Sequence, residues 1–269
     1  MRGASRASLT EAKERLEAAL SSGDPATLGD ELFAVLHLLD REHGLRRVLS
    51  DPAQSADRKV AAVHGLLEGS VSAGTLGLVE EIVRLRWARS VDLTDAVEEL
   101  AVIAEVASAE AAGRFDDLED ELFRFGRILA AQPELRRALN DRAAPLESKV
   151  QLLSDLLERK VTPATLRLVT EVATYARGRS LERGLDFYGR IAAERRSRLV
   201  AVVRTSVELT EAQKSRLSAA LSAQYDRDVH LNIEVDPAVL GGLSVQIGDE
   251  EIDGTIQRRL GDIRRRLTR

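Results

Sequence analysis

A repeat with a period of 90 residues constrains this sequence more than any other feature. The tetrapeptide DELF stands at 30–33 and again at 120–123. An ungapped comparison of 19–90 with 109–180 gives 27 identities in 72 positions. Random pairing at this composition would give roughly a tenth of matches. The match is well above that level, so we interpret the chain as carrying a duplication. An internal repeat of this kind determines the fold class.

Each copy of the repeat has the apolar spacing of helices. One helical face of the first copy, at i, i+3, i+4 and i+7, is formed by Leu32, Val35, Leu36 and Leu39. In the second copy, prolines fall at or near the predicted helix starts, where a missing N–H does least harm: Pro133, Pro145 and Pro163. Aromatic residues make up only 3% of the chain, so the cores must be aliphatic.

The second copy extends from about 95 to 197, which is longer than the period, so the two copies must overlap. The last helix of the first copy, about 92–107, and the first helix of the second, about 95–112, are then one segment. We expect one long helix there, shared by both bundles, with Asp92 or Ser90 capping its start.

The pattern changes after about residue 197. A β-branched run at 199–207 predicts a strand, and Thr210 with Gln213 forms a capping box before a helix at 211–225. Further strands are predicted at 229–235, at 243–247 and at about 250–252, with a last helix over about 253–267.

The predicted fold class is mainly α with a small α+β C-terminal domain. Two tandem helical bundles share a long helix and precede a β-α-β-β-α module. The predicted domains are a first bundle at 1–94, a second bundle at 95–197 and the α+β domain at 198–269.

Composition excludes several classes of function. The net charge of −5 does not call for nucleic acid or an anionic membrane as a partner. Without cysteine there is no disulfide, thiolate metal site or cysteine nucleophile. We see no apolar run of the ~20 residues that span a bilayer and no signal peptide. A soluble protein without cofactor or metal is expected.

The stretch from Val235 to Leu267 closely resembles the signature of the ATP synthase delta (OSCP) family. The residues that match it are Asp236, Pro237, Gly241, Gly242, Ile247, Gly248, Ile252, Asp253 and Gly254. Thr255 departs slightly, since the family more often has Ser there. The likeness covers about 91–269. The first copy is an extra helical domain of the kind associated with actinobacterial members.

The resemblance implies a non-catalytic stator protein. In this family the helical domain sits on the catalytic head and grips the amphipathic N-terminal helix of one alpha subunit or more. The C-terminal domain meets the C-terminal end of the b subunit of the peripheral stalk, so that rotor torque is resisted during proton-driven ATP synthesis. One copy per complex is expected, monomeric when isolated, on the cytoplasmic face of the plasma membrane and held there only through its partners.

The resemblance also points to candidate contact residues. In the family the first and fifth helices of the bundle form the groove for the alpha-subunit helix. At the matching positions of this sequence, the groove residues of the first copy are Leu9, Leu16, Leu20, Leu76, Val79 and Val83. Those of the second copy are Val102, Val106, Ala109, Leu166, Val169 and Ala173. Periodic apolar positions are also those of ordinary core residues, which is the alternative. The candidate stalk contact is Arg258, Arg259, Arg264, Arg265 and Arg266.

Other features have simple structural explanations. Gly241-Gly242 lacks the surrounding pattern of a phosphate loop, and Asp236 and Asp253 stand where an aspartate caps a turn or a helix. The histidines, at 37, 43, 64 and 230, lack metal-site spacing. Trp87, equivalent to Arg177, fits either core or groove.

The arginine-rich C-terminus leaves an alternative function open. It fits a solvated helix end, which it would stabilise through the helix dipole. It also fits a helical adaptor that binds acidic partners or nucleic acid. The sequence offers no aromatic residues interleaved with these arginines for base stacking, so we expect no nucleic acid partner. An enzyme is not expected, because no nucleophile–base pair or phosphate cradle is evident.

Overall fold

The computed structural model describes residues 3–141, 143–197, 199–225, 229–236, 239, 241–247 and 250–253. The chain divides into two compact units, Met1–Ala193 and Glu194–Arg269. The first unit is helical and the second contains a small sheet, which confirms the predicted fold class.

The second to fifth helices of the two copies have the same lengths and the same spacing. The first copy contains α1 Ala4–Ser22, α2 Pro25–Arg41, α3 His43–Ser50, α4 Ala56–Leu67 and α5 Ala73–Arg84. After α6 Ser90–Ala111 come α7 Phe115–Ala131, α8 Pro133–Asn140, α9 Leu146–Leu157, α10 Pro163–Thr174 and α11 Leu181–Ser197. Helices α7 to α10 each begin and end 90 residues after α2 to α5. The period of the sequence is therefore the period of the structure.

Helix α6 is the long shared helix that the overlap of the copies predicts. It is the sixth helix of the first copy and the first helix of the second. The predicted capping of its start is wrong. Arg89 occupies the N-cap position without a side-chain cap, and Ser90 is the first helical residue. Asp92 is buried and accepts a hydrogen bond from Ser5 Oγ at 2.8 Å, because α1 packs against this end of α6.

A glutamate on the second helix of each copy holds the start of the fifth helix. In the first copy, the Ser72 backbone N–H donates to Glu31 at 2.8 Å, and Ser72 Oγ caps α5 by accepting from Thr75 N at 3.3 Å. In the second copy, the Thr162 N–H donates to Glu121, also at 2.8 Å. The duplication thus preserves polar detail as well as helix lengths.

One continuous hydrophobic core runs through the helical unit, from Ala12 on α1 to Ala192 on α11. Helix α6 lies at its centre and packs against α1, α2, α3, α7 and α10. The predicted division of this region at 94/95 falls inside α6, so the two bundles of the prediction share a core as well as a helix. The separate domains 1–94 and 95–197 remain a prediction.

The second unit is built around a four-stranded sheet. Its elements are β1 Leu199–Thr205, α12 Glu211–Tyr225, β2 Val229–Val235, β3 Leu243–Ile247 and β4 Glu250–Asp253. The strand order is β2-β1-β3-β4. β1 pairs in parallel with β2, and the other pairs are antiparallel. A parallel pair needs a crossover connection, which the segment containing α12 supplies.

Local sequence signals set the start of α12. The capping box forms as predicted, since the Gln213 N–H donates to Thr210 Oγ1 at 3.3 Å and the Thr210 N–H donates to Gln213 Oε1 at 2.8 Å. Leu221 then joins Ala201, Val203 and Val245 in the core under the sheet. The predicted final helix lies outside the described residues from residue 254 onward.

Candidate interaction surfaces

The residues of the predicted groove lie on neighbouring helices, because α1 packs against α5 and α6 packs against α10. Most of them are buried in the core: Leu16, Val79, Val83, Val102, Val106, Ala109, Val169 and Ala173. The others are half-buried: Leu9, Leu20, Leu76 and Leu166. In this structure only the half-buried residues offer surface to a partner. Their role in a groove stays a prediction.

Helix α2 lies against both the first and the fifth helix of the second copy. It packs along α6, and Asp30 Oδ1 lies 2.6 Å from Arg167 Nε on α10. One to two turns further along, His37 Nε2 lies 2.6 Å from Glu171 Oε1, and the His37 ring stacks on Tyr175 with centroids 3.6 Å apart. One side of the α6–α10 pair is therefore covered by the chain's own helix.

A fully buried carboxylate lies beneath this contact. Arg167 Nη1 donates to both carboxylate oxygens of Glu105, at 3.2 and 3.3 Å. Burial raises the pKa of Glu105 to about 8, and the nearby charge of Arg167 offsets only part of that effect. Gly29 of α2 gives the carboxylate its space, since a Cβ there would lie 2.4 Å from Glu105 Oε1.

A second polar cluster is centred on Arg177, in the turn after α10. Its guanidinium donates to Asp40 at 2.7 Å, to Thr94 at 2.8 Å, to Asp95 at 3.1 Å and to buried Glu98. It thereby joins α2, α6 and the end of α10. Two further groups also donate to Glu98: the guanidinium of Arg179, and the Tyr188 hydroxyl at 3.3 Å.

The matching side of the first copy is open. The position of Arg167 on α10 corresponds to Gly77 on α5, where an added Cβ would meet open space. The positions of Glu105 and Glu171 correspond to Arg15 and Glu81, which form an ion pair with their side chains 31% and 44% exposed. The α1–α5 pair thus presents a surface where the α6–α10 pair is covered.

A groove separates α7 from α11, the second and sixth helices of the second copy. It has a volume of about 1170 Å³. From α7 it is lined by Glu119, Leu122, Phe123, Gly126, Arg127 and Ala130, and from α11 and the turn before it by Arg179, Glu182, Arg183, Leu185, Asp186, Phe187, Gly189, Arg190 and Ala193. Phe123 is 70% exposed on its rim. We call it the α7–α11 groove.

The family signature lies around the β3–β4 hairpin of the second unit. Gly241 and Gly242 have φ of 65° and 83°, a backbone conformation that favours glycine, which gives them a structural role at the entry to β3. Ile247 ends β3 and is buried, and Ile252 of β4 pairs with Val245. The Asp236 N–H donates to Thr205 O at 2.8 Å, which joins the end of β2 to β1. Pro237, Gly248 and Gly254 lie outside the described residues.

The candidate stalk arginines, from Arg258 to Arg266, also lie outside the described residues. Among the residues that the structure describes, no group of three or more histidines and carboxylates is placed to hold a metal ion. Across the same part of the chain, no helix combines the length and apolarity needed to cross a membrane.

Sequence reasoning missed the Glu105 and Arg177 clusters and the α7–α11 groove. None of them follows from apolar periodicity. The differences between copies carry a signal, because Arg167 and Arg177 stand where the first copy has Gly77 and Trp87. Trp87 itself is buried and donates from Nε1 to Ile82 O at 3.0 Å, which assigns it to the core.

Comparison with known proteins covers the whole chain. An "ATP synthase subunit delta" from Thermobifida fusca is 54% identical over 267 residues, 99% of each chain. One of the same name from Streptomyces griseus is 52% identical over 269 residues, again 99% of each. A chain of the cryo-EM structure of the Toxoplasma gondii mitochondrial ATP synthase hexamer is 19% identical over 62% of this chain and 95% of its own. Its TM-score of 0.29 is too low to define a shared fold.

The family model described as "ATP synthase delta (OSCP) subunit" matches residues 102–267. This range holds the C-terminal part of α6, the rest of the second copy and nearly all of the C-terminal unit, and it leaves out α1 to α5. The two relatives extend over the first copy as well. The chain therefore belongs to the ATP synthase delta (OSCP) subunit family.

Proposed function

We propose that this chain is the delta subunit of an F-type ATP synthase, a non-catalytic stator protein that links the catalytic head to the peripheral stalk. The observation that carries the proposal is the identity of 54% with an ATP synthase subunit delta over 99% of both chains. It favours this role over that of an adaptor with an arginine-rich end. In this role the chain carries no active site or cofactor of its own, and proton-driven synthesis takes place in other subunits.

A protein that resists torque must transmit force without deforming. The structure supports such a role, since α6 is a 22-residue helix, about 33 Å long, at the centre of one core. Arg167 and Arg177 join α2 to this helix and to the end of α10. Hydrogen-bonded polar networks with buried members favour one arrangement of helices over others.

The proposed partner on the head is the N-terminal helix of an alpha subunit, bound at the α1–α5 pair of the first copy. Two observations support this location. Helix α2 covers one side of the equivalent α6–α10 pair, and the matching side of α1–α5 is open around Gly77. Leu76, next to Gly77 on α5, is half-buried, as are Leu9 and Leu20 on α1. A bound amphipathic helix can pack its own apolar residues, at i, i+3, i+4 and i+7, against such leucines.

The proposed partner on the stalk is the C-terminal end of the b subunit, bound by the C-terminal unit. The arginines Arg258, Arg259, Arg264, Arg265 and Arg266 supply positive charge for an acidic stalk surface. The protein then works at the cytoplasmic face of the plasma membrane, as one copy per complex, and reaches the membrane only through the other subunits.

Native mass spectrometry of a reconstituted head tests the function. The purified chain is mixed with an ATP synthase head stripped of its delta subunit, once with intact alpha-subunit N-terminal helices and once with these helices trimmed. We expect one chain bound per intact head and none per trimmed head. Absence of binding to the intact head at moderate salt would exclude the proposed role.

A matched pair of substitutions tests which copy binds. Leu76 and Leu166 occupy equivalent positions and are both half-buried. We expect Leu76→Arg to weaken binding to the intact head at least about tenfold, because it places a charge in the contact. Leu166→Arg should leave the affinity unchanged. The opposite result would move the contact to the second copy.

A further inference from the structure

The same pair of helices is closed in one copy and open in the other. In the first copy α2 packs tightly along α6, with Phe33 only 4% exposed and Leu36 fully buried. In the second copy these positions are Phe123, which is 70% exposed, and Gly126. The α7–α11 groove therefore lies along a face of α7 whose counterpart on α2 is packed against α6.

The sixth helices explain the difference. Four core residues of α6 are fully buried: Leu93, Ala96, Val97 and Leu100. The equivalent residues of α11 are Arg183, Asp186, Phe187 and Arg190, all of which line the α7–α11 groove. Charged side chains cannot be buried against α7 without partners, so the second pair of helices stays apart.

The charge of this groove is unbalanced. Among the residues that the structure describes, the guanidinium groups of Arg127, Arg183 and Arg190 have no carboxylate within ion-pair distance. Of the acidic residues in the lining, Glu182 lies 4.0 Å from Arg136, and Glu119 is engaged with other groups. Asp186 alone opposes the three arginines, so the lining has an excess of unpaired positive charge.

Aromatic rings give the groove its apolar contact area. The Phe187 ring lies near two arginines, 4.8 Å from Arg179 Cζ and 6.0 Å from Arg190 Cζ. Phe123 stands across the groove on α7. Phe123 is exposed and Phe187 is half-buried, and aromatic rings among arginines form the composition typical of the centre of a protein interface.

We infer that the α7–α11 groove is a docking site for an amphipathic helix of another protein, with acidic side chains beside its apolar stripe. Its apolar residues would pack on Phe123 and Phe187, and its carboxylates would pair with Arg127, Arg183 and Arg190. This site lies on different helices from the proposed α1–α5 contact, and it does not depend on the proposed function.

A designed peptide of about 20 residues, long enough to form a helix, serves as the probe. It carries leucines at i, i+3, i+4 and i+7, glutamates on either side and a fluorescent label, and its anisotropy is measured with the full chain. A matched peptide has lysine at every glutamate. We expect the acidic peptide to bind and the basic peptide not to bind. Raising the salt from about 0.05 M to about 0.2 M should weaken binding.

Substitutions distinguish the groove from the arginine-rich C-terminus. Phe123→Ser and the double change Arg183→Glu with Arg190→Glu should each weaken binding about tenfold or more. All three residues are exposed, so circular dichroism should show folded variants. A control with Arg264, Arg265 and Arg266 changed to Glu should bind as the parent does. Absent binding, binding unaffected by the groove variants, or binding lost only in the C-terminal control would each overturn the inference.

Discussion

Arg177 and Trp87 occupy equivalent positions of the two copies, yet one is the centre of an ion-pair cluster and the other is a core residue. Arg177 also has a φ of 47°, a backbone conformation that side chains rarely adopt. Its pairs with Asp40, Asp95 and Glu98 hold it there. The second copy thus has an ionic link to the first copy at a position where the first copy has a buried tryptophan.

Arg177→Gly should destabilise the protein by about 2–4 kcal/mol. Removal of the arginine leaves Glu98 buried with fewer partners, a loss of about 3–5 kcal/mol, and glycine recovers about 1 kcal/mol of backbone strain. Urea unfolding measures the difference. Arg84→Ala removes an exposed arginine that pairs with Asp57 and Glu81, and should change stability by less than about 1 kcal/mol. Equal effects of the two substitutions would contradict this role of Arg177.

Arg159→Gly should stabilise the protein by about 0.5–1 kcal/mol. Arg159 follows α9 with a φ of 65°, and its equivalent after α4 is Gly69 with a φ of 76°. The reverse substitution, Gly69→Arg, should destabilise by a similar amount, since the same strain is introduced. Thermal unfolding of both variants checks the pair, and shifts in the same direction would refute the explanation.

Glu105 should make the free energy of unfolding fall as pH rises from about 5 to about 8. The folded state holds this proton up to a pKa of about 8, whereas the ordinary value is 4.5. Between these values the folded state binds more protons than the unfolded state, so each step in pH favours unfolding.

Glu105→Gln removes this contribution. The slope of the unfolding free energy against pH should become less negative by up to about 1.4 kcal/mol per pH unit in that window. Urea unfolding at several pH values gives both slopes, with the exposed Glu14→Gln as a control. Parallel curves for the parent and Glu105→Gln would show that burial does not hold the proton.

Gly29→Ala should destabilise the protein by about 1–3 kcal/mol, although alanine favours helices over glycine. The added Cβ would lie 2.4 Å from Glu105 Oε1. Gly77→Ala, on an open helix surface, should instead stabilise by up to about 1 kcal/mol. A double-mutant cycle with Glu105→Ala provides the check. Gly29→Ala should cost little stability once the Glu105 carboxyl group is absent. Strictly additive effects would rule out the clash.

Much of the fold follows from local signals. The strand β2 lies where its alternating pattern predicts, and β3 follows Gly241-Gly242 as expected. Helix α12 begins after the Thr210 capping box, and α8 and α10 begin at prolines. The period of 90 residues predicted the shared helix, because the second copy is longer than the period and must therefore overlap the first copy. Short-range chemistry sets these features, so a single sequence is enough to find them.

The interaction surfaces could not be found in the same way. Phe33 and Phe123 stand in identical DELF segments, and their exposure is set by α6 and α11, far along the chain. Apolar spacing also cannot separate core from groove, as the buried Val79 and the half-buried Leu76 of α5 show. The capping of α6 was mispredicted for a similar reason, since Ser5, from the far end of the chain, takes Asp92 as its partner.

The shared helix α6 makes this architecture easy to lengthen or shorten by one unit. Because α6 closes one bundle and opens the next, the repeat adds a bundle with 90 residues and needs neither a linker nor a spare helix. Helices α2 to α5 and α7 to α10 have equal lengths and positions within the repeat, so a point in one set has an exact counterpart in the other. An in-frame deletion of 90 residues between equivalent points of these helices would therefore remove one set of helices and leave the lengths of the others unchanged.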